Sequence, residues 1–337
     1  MKKYNIAIVG ATGAVGNEMI KILEQREFPV NEITLLASEN SIGKYLDFKG
    51  EQIPVNILDE NSFRNIDIAL FSAGGKISEK FAPIAASKNA VVIDNTSFFR
   101  MNPEVPLVIP EVNPEKIEDF DNKGIIANPN CSTIQMLVAL KPIHDVAKIK
   151  RIVVSTYQSV SGAGLSAMEE LSMQSINLFH HENIQAKKFP HRIAYNCIPQ
   201  IGAFLESGYC EEEIKMIEET KKILGSDVQI TATTVRVPVF YGHAESINIE
   251  TKIKISPSEI KTLYKDFKAV TLIDNPKDNS YPMQIESSGK DEVFVGRIRE
   301  DKSVDNGIDM WVCADNLRKG AALNAIQIAE ILIKEYI

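Results

Sequence analysis

Gly10-Ala11-Thr12-Gly13-Ala14-Val15-Gly16 lies between Ile6-Ala7-Ile8-Val9, an apolar run of buried-strand type, and Asn17–Gln25, an amphipathic helical pattern. Glycines in such a strand-to-helix turn allow a tight bend and a close backbone approach. The helix N-terminus adds amide hydrogens and a positive dipole end, which together suit the phosphates of a dinucleotide. The spacing is GxxGxxG rather than the commoner GxGxxG, and such a turn can also serve packing alone; the strand context and early position favour a cofactor. The next strand ends at Ala37-Ser38-Glu39-Asn40-Ser41. An acidic residue there suits the ribose hydroxyl of NAD, and a basic one suits the extra phosphate of NADP. Ser38, Asn40 and Ser41 can donate to a phosphate, Glu39 would repel it if it pointed inward, and Lys44 is the nearest cation.

Outward from this turn, short apolar runs (Ile33–Ala37, Asp67–Ser72, Ala90–Asp94) alternate with helical patterns, the mark of parallel βαβ construction. From Lys150 onward the strands lengthen and adjoin one another, as in Arg151–Ser161, Val228–Phe240 and Glu245–Ile255, and a more antiparallel second domain is expected there. Glu211–Leu224 and Asn316–Tyr336 read as amphipathic helices, the latter free to return to the first domain. The segment from Leu178 to Pro199, rich in His, Lys, Asn and Pro, lacks periodicity, a property that in a compact protein marks function or an interface.

A chain of 337 residues is long for one compact unit, so two domains are expected. Its 37 basic and 45 acidic side chains leave a net charge of −8, which argues against a nucleic-acid interface. Met1-Lys2-Lys3 ahead of an apolar run imitates a signal peptide, but Gly10, Gly13 and Gly16 break the run. No stretch reaches the ~18 apolar residues of a membrane span, so a soluble, cytoplasmic protein is expected. Four scattered cysteines do not make a disulfide framework.

Cys131 is different from the other three. Asn128-Pro129-Asn130-Cys131-Ser132-Thr133 opens a helical stretch, and a helix N-terminus stabilises a thiolate. A cysteine before an apolar run can also be a packing residue, but the Pro-Asn lead-in and the polar Ser132-Thr133 favour a cap. Cys197, Cys210 and Cys313 show no comparable context and are read as structural. Gln158 ends an apolar strand just before Ser161, Gly162 and Gly164, where it can hold a carbonyl or amine while Ser161 and Gly162 meet a flat ring. Arg236 suits a carboxylate and His243 suits proton transfer. On one straight strand their odd separation would place them on opposite faces, so convergence requires a break at Pro238 and Gly242. The His180-His181 pair has no spaced third ligand, and no metal is expected.

Taken together, the glycine turn, Asn128–Thr133, Tyr157–Gly164, Glu219-Thr220-Lys221-Lys222 and Arg236–Glu245 resemble the aspartate-semialdehyde dehydrogenase family of the bacterial type. Asp94–Arg100, Pro110–Asn113 and Gly296–Arg299 do so too, and the match runs in order along nearly the whole chain. The resemblance implies an α/β protein with a Rossmann-type dinucleotide-binding domain at 1–128, completed by a helix at 315–337. It further implies an α+β catalytic and dimerisation domain with a mixed, largely antiparallel sheet at 129–314.

The reaction so implied is the reversible interconversion of aspartyl phosphate and NADPH with aspartate semialdehyde, phosphate and NADP. It passes through a thioester on Cys131 in the biosynthesis of lysine, threonine, methionine and isoleucine. The same resemblance makes His243 the acid/base and Gln158 the residue that orients the substrate. It gives Arg236 the α-carboxylate, Glu219 the amine, and Arg100 and Lys222 the phosphate. Thr12, Gly13, Ala14, Val15, Ser161, Gly162 and Asn316 correspond to dinucleotide contacts, and a homodimer is expected. Many relatives carry arginine where this chain has Asn40, so weakened discrimination of NADP from NAD is expected. The rival substrate, N-acetylglutamyl phosphate, has a blocked amine that Glu219 could not meet. The rival role, a non-catalytic dinucleotide sensor, sits poorly with retention of Cys131, Gln158, Arg236 and His243.

Overall fold

A computed structural model describes residues 2–337; Met1, with which the signal-like start opens, lies outside the described residues. Along the chain run β1 (Tyr4–Val9), α1 (Ala14–Gln25), β2 (Val30–Ala37), β3 (Tyr45–Phe48), β4 (Glu51–Ile57), β5 (Ile68–Phe71), α2 (Gly75–Ser87), β6 (Val91–Asp94) and β7 (Ile125–Ala127). There follow α3 (Cys131–Ala147), β8 (Ile149–Gln158), α4 (Leu165–Phe179), α5 (Glu211–Leu224), β9 (Gln229–Arg236), β10 (His243–Thr251) and α6 (Pro257–Asp266). The last elements are β11 (Val270–Leu272), α7 (Gln284–Ser287), β12 (Val293–Asp301), β13 (Gly307–Ala314) and α8 (Leu323–Glu335). Two compact units result, one of Met1–Asn130 with Ala321–Ile337 and one of Cys131–Gly320.

The first unit is built on a seven-stranded sheet in the order β3-β4-β2-β1-β5-β6-β7. All its pairings are parallel except β3 with β4. Central β1 buries every residue but Asn5, as a strand covered on both faces must, which is why it reads as a continuous apolar run. Helix α8 closes the core with Leu323, Ile326, Ala329 and Leu332 packed in one cluster with Ile6, Ile8 and Met19. Arg26 grips Glu330 with two hydrogen bonds of 2.7 and 2.8 Å. The closing helix is shorter than its sequence pattern suggests, because Arg318–Ala322 forms a π turn before α8 begins.

The second unit carries a six-stranded mixed sheet in the order β11-β12-β13-β10-β8-β9. Strand β8 runs antiparallel to β10 and parallel to β9. One face is lined by Ile152, Val154, Thr156, Ile247 and Ile249, all buried, and α3 packs against β10 and β13. Residues 180–198 contain no helix or strand, in keeping with their missing periodicity.

Candidate active site

In the first unit, β1 ends at Gly10, whose φ of +89° turns the chain into α1. A Cβ on Gly10 would stand 3.0 Å from the Ala73 nitrogen. Asn17 clamps the turn by donating to the carbonyls of Ala11 (3.1 Å) and Gly13 (2.9 Å). The amides of Ala14 and Val15, in the first turn of α1, belong to the set without intrahelical acceptors. Above this turn lies a cavity of about 490 Å³ lined by Gly10, Thr12, Gly13, Ser38, Glu39 and Ser72 among others. These residues fit a dinucleotide, whose pyrophosphate would lie on the helix end and whose adenosine would reach the end of β2. There Glu39 lines the cavity and Asn40 is exposed. Ser41, offered by the sequence as a phosphate donor, is buried with its hydroxyl 3.1 Å from that of Thr12.

Arg100 is also in this unit, at the end of the turn that follows β6. Asp94, buried, accepts hydrogen bonds from Ser78 Oγ, the Thr96 amide and Thr96 Oγ1, each 2.9 Å, and so shapes that turn. Arg100 Nη2 donates to the Asn95 carbonyl at 2.9 Å.

In the second unit, register assembles the reacting groups. Gln158 on β8 is paired with Arg236 on the parallel β9, and Tyr157 with Ala244 on β10. His243, one position before Ala244, therefore stands beside Gln158, with side chains on one face of the sheet. The sequence required a break at Pro238 and Gly242 for Arg236 and His243 to converge, and the chain does break there: β9 ends at Arg236 and β10 begins at His243. They sit on different strands with β8 between them, and residues 237–242 carry the chain across the end of β8. That crossing is pinned where the Val160 and Ser161 amides donate to the carbonyls of Val239 and Phe240.

Helix α3 covers this face, beginning at the half-buried Cys131. Gln158 Nε2 donates to Ser132 Oγ at 2.9 Å, tying the strand to the helix start. Gly320 packs so closely that a Cβ there would stand 2.8 Å from the Cys131 Cβ. On the other side, a Cβ on Gly162 would be 3.1 Å from Arg236 Nη1 and 3.2 Å from His243 Nε2. Only glycine leaves both polar ends clear. The Ser161 hydroxyl and the Asn316 amide are buried and bonded to each other, and Asn316 Oδ1 also accepts from the Gly242 amide at 3.0 Å.

His243 is fully buried. Its Nδ1 accepts the Ser159 amide hydrogen at 3.1 Å, so the neutral ring carries its proton on Nε2, which has no hydrogen-bond partner among the described residues. Burial, with the Arg236 charge adding to it, pushes the imidazole down to about 3. Burial also lowers Arg236, against the pull of Glu212 and Cys131. The guanidinium is thus the common electrostatic neighbour of thiol and imidazole. Two positions beyond His243, Glu245 is buried near Gln135 of α3. Burial holds its carboxyl well above the usual range; the Gln135 amide opposes this only in part, without a hydrogen bond of normal geometry.

Helix α5 buries polar as well as apolar side chains: Glu212, Glu219 and Thr220 are buried beside Met216 and Ile217, whereas Ile214 and Ile223, the other apolar positions of the sequence pattern, are only partly so. Glu219 is 1% exposed, which excludes a solvated ion pair with Lys222. Lys222 is lowered by its own burial, with Glu219 opposing. Sequence reading passed over Glu212, which accepts from Gln158 Nε2 at 3.4 Å and acts electrostatically on Arg236 and His243. The signal was there: Glu212 lies two helical turns before Glu219, on the same face. Ser159 was missed too; its amide and carbonyl hold His243 and Arg236, and its hydroxyl lies 3.1 Å from both His243 Nδ1 and Asn316 Oδ1. Cys210, read as lacking a helix cap, in fact precedes α5 and donates its amide to Glu213 at 2.8 Å; its buried sulfur contacts Thr234 Oγ1.

Comparison with known proteins adds to this geometry. Residues 5–120 match the family model described as semialdehyde dehydrogenase, NAD binding domain, and residues 140–319 the one described as semialdehyde dehydrogenase, dimerisation domain. The aspartate-semialdehyde dehydrogenase of Aquifex aeolicus is 58% identical, over 98% of each chain. Aspartate-semialdehyde dehydrogenase 2 of Vibrio cholerae is 51% identical over 99% of each. The crystal structure of aspartate semialdehyde dehydrogenase II from Vibrio cholerae complexed with ASA superposes with a TM-score of 0.98, covering 100% of both chains at 50% identity. The Candida albicans enzyme solved with NADP gives a TM-score of 0.77 over 98% of this chain and 99% of that one, at 25% identity. Cleft and family model together support a nucleotide cofactor. With matches of this extent, the chain belongs to the aspartate-semialdehyde dehydrogenase family of oxidoreductases.

Proposed function

We propose that the chain interconverts L-4-aspartyl phosphate and L-aspartate 4-semialdehyde with release or uptake of phosphate, using NADP. The observation that carries this reading is the row of Arg236, Gln158 and His243 on adjacent strands, facing the helix that starts at Cys131. Cys131, at the positive end of α3, attacks the acyl phosphate, and the phosphoryl group leaves as phosphate. Arg100 and Lys222 are the cations assigned to that phosphate. Arg236 holds the α-carboxylate with donors beyond the one committed to the Ser159 carbonyl at 2.7 Å. Glu219 takes the amine, and Gln158 orients the carbonyl.

When bound, the nicotinamide supplies the hydride that takes the thioester to the oxidation level of the aldehyde. His243 supports this step as a hydrogen-bond donor: its neutral ring aims Nε2–H first at the carbonyl oxygen as charge builds there, then at the departing Cys131 sulfur, which leaves as a thiolate. The ring keeps its single proton throughout, and the acid/base part assigned to His243 begins only when a proton is taken up from solvent.

NADP is the proposed cofactor, with weak preference over NAD, since Glu39 lines the cleft where a phosphate would need cations. A cytoplasmic homodimer assembled through the second unit is the state proposed, supported by the match to a dimerisation-domain model. The test is a phosphate-dependent NADP reduction assay with aspartate semialdehyde beside N-acetylglutamate semialdehyde. Turnover of the first alone is expected. Preference for the acylated substrate would move the chain to the rival reaction, and no turnover of either would favour the sensor role.

A further inference from the structure

The irregular segment before α5 touches Arg236 at two places. The Phe189 ring lies under the guanidinium, with its centroid 6.0 Å from Cζ. Further on, the Ile198 amide donates to the Arg236 carbonyl and the Arg236 amide to the Ile198 carbonyl, each at 2.9 Å. The segment is itself strapped to α4. The Glu170 carboxylate accepts the backbone amides of Lys187, Lys188 and Phe189. Gln174 Oε1 accepts those of Ile193 (2.9 Å) and Ala194 (3.1 Å), while its Nε2 donates to the Gln185 carbonyl at 2.9 Å.

Ile193, Ala194 and Ile198 add apolar anchors against Val160, Ala167 and Leu171, with Phe189 packed on the same cluster. Beside the strap opens a cavity of about 640 Å³ lined by Glu169, Glu170, Gln185 and Lys187 among others, so on that side the hydrogen bonds rather than packing hold the segment.

We propose that Phe189, held by the Glu170 and Gln174 strap, is a positioning residue that fixes the plane of the Arg236 guanidinium for the substrate's α-carboxylate. The inference deepens the function proposed above and rests on it. A guanidinium presents its paired N–H donors only in its own plane, so the Nη1 bond to the Ser159 carbonyl, with the Phe189 ring 6.0 Å from Cζ limiting movement on one side, narrows the orientations open to the outward fork. The ring's negative face also favours the cation where burial disfavours it.

The test separates ring from bulk. Phe189→Leu keeps apolar volume and removes the π face; Phe189→Tyr keeps both. With aspartate semialdehyde, Phe189→Leu is expected to raise KM about 3- to 30-fold with kcat little changed, and Phe189→Tyr to restore KM. With 3-aminopropanal, the same aldehyde without its carboxylate, and for iodoacetamide alkylation of Cys131, Phe189→Leu is expected to match the unmodified protein. Glu170→Gln, which weakens the strap alone, should give a smaller rise in the same KM. An unchanged KM in Phe189→Leu, or an equal rise with both aldehydes, overturns the inference while the proposed function stands. If the unmodified protein turns over no aspartate semialdehyde, the proposed function fails and this inference fails with it.

Discussion

The Ser159 amide donates to Nδ1 of His243 at 3.1 Å, and this single bond decides which nitrogen of the ring carries the proton. It also bears on stability. The unfolded ring titrates near 6.5 and the folded one at about 3, so below pH 6.5 the unfolded chain takes up a proton that the folded one refuses. Stability should therefore fall as pH drops from 6.5 toward 3, by at most about 1.4 kcal/mol per pH unit from this group. His243→Asn, whose Oδ1 can accept the same amide hydrogen, should flatten that limb in denaturant titrations at several pH values while lowering kcat/KM by about 100-fold or more. An equally steep acid limb would contradict the assignment.

Gly162 tests the closeness of Arg236 and His243. In Gly162→Ala the new methyl meets Arg236 Nη1 at 3.1 Å and His243 Nε2 at 3.2 Å, so one must yield. Loss of about 10-fold or more in kcat/KM is expected, with a midpoint of thermal unfolding within a few degrees of the parent. Full activity would mean that the two groups do not need their present positions.

At the end of β2, Glu39 lines the cleft and Asn40 supplies no charge. Asn40→Arg should raise the ratio of kcat/KM for NADP over NAD about 10-fold, and Glu39→Ser should move it the same way by less. Steady-state kinetics with both cofactors reads the ratio; a shift toward NAD in either variant would place the adenosine phosphate elsewhere.

Glu245 carries the opposite pH sign from His243. Its carboxyl is held well above its ordinary 4.5, so as pH rises past that value the unfolded chain releases a proton that the folded chain keeps. Stability is lost with rising pH, up to the folded pKa. Glu245→Gln removes the titration, so its stability relative to the parent should improve steadily from pH 5 to pH 8 in urea titrations. A constant difference would show Glu245 to be ionised in the folded protein.

What could be read before folding depended on whether a signal was local. The glycine turn is local: Ile6–Val9 must be buried on both faces and Asn17–Gln25 on one, and both patterns show in the residues themselves. Strands β3 and β4 went unread because they form a hairpin at the sheet edge, where Tyr45, Asp47, Glu51 and Gln52 face solvent and leave little apolar pattern. Glu212 stands in a run of three glutamates, and only its seven-residue spacing from Glu219 sets it apart from Glu211 and Glu213. The meeting of Arg236 with His243 depends on β8 passing between their strands, a long-range pairing that no spacing encodes. Phe189 belongs to a segment without periodicity, so its place under Arg236 could come only from the fold.

The central claim is that the Cys131 sulfur carries the acyl group, and it is tested most directly by intact-protein and peptide mass spectrometry after mixing with aspartyl phosphate in the absence of reduced cofactor. A single aspartyl adduct on the peptide containing Cys131, released by hydroxylamine and absent from Cys131→Ser, is the expected result. An adduct on Cys197, Cys210 or Cys313 instead, or turnover by an enzyme that never becomes acylated, would contradict it.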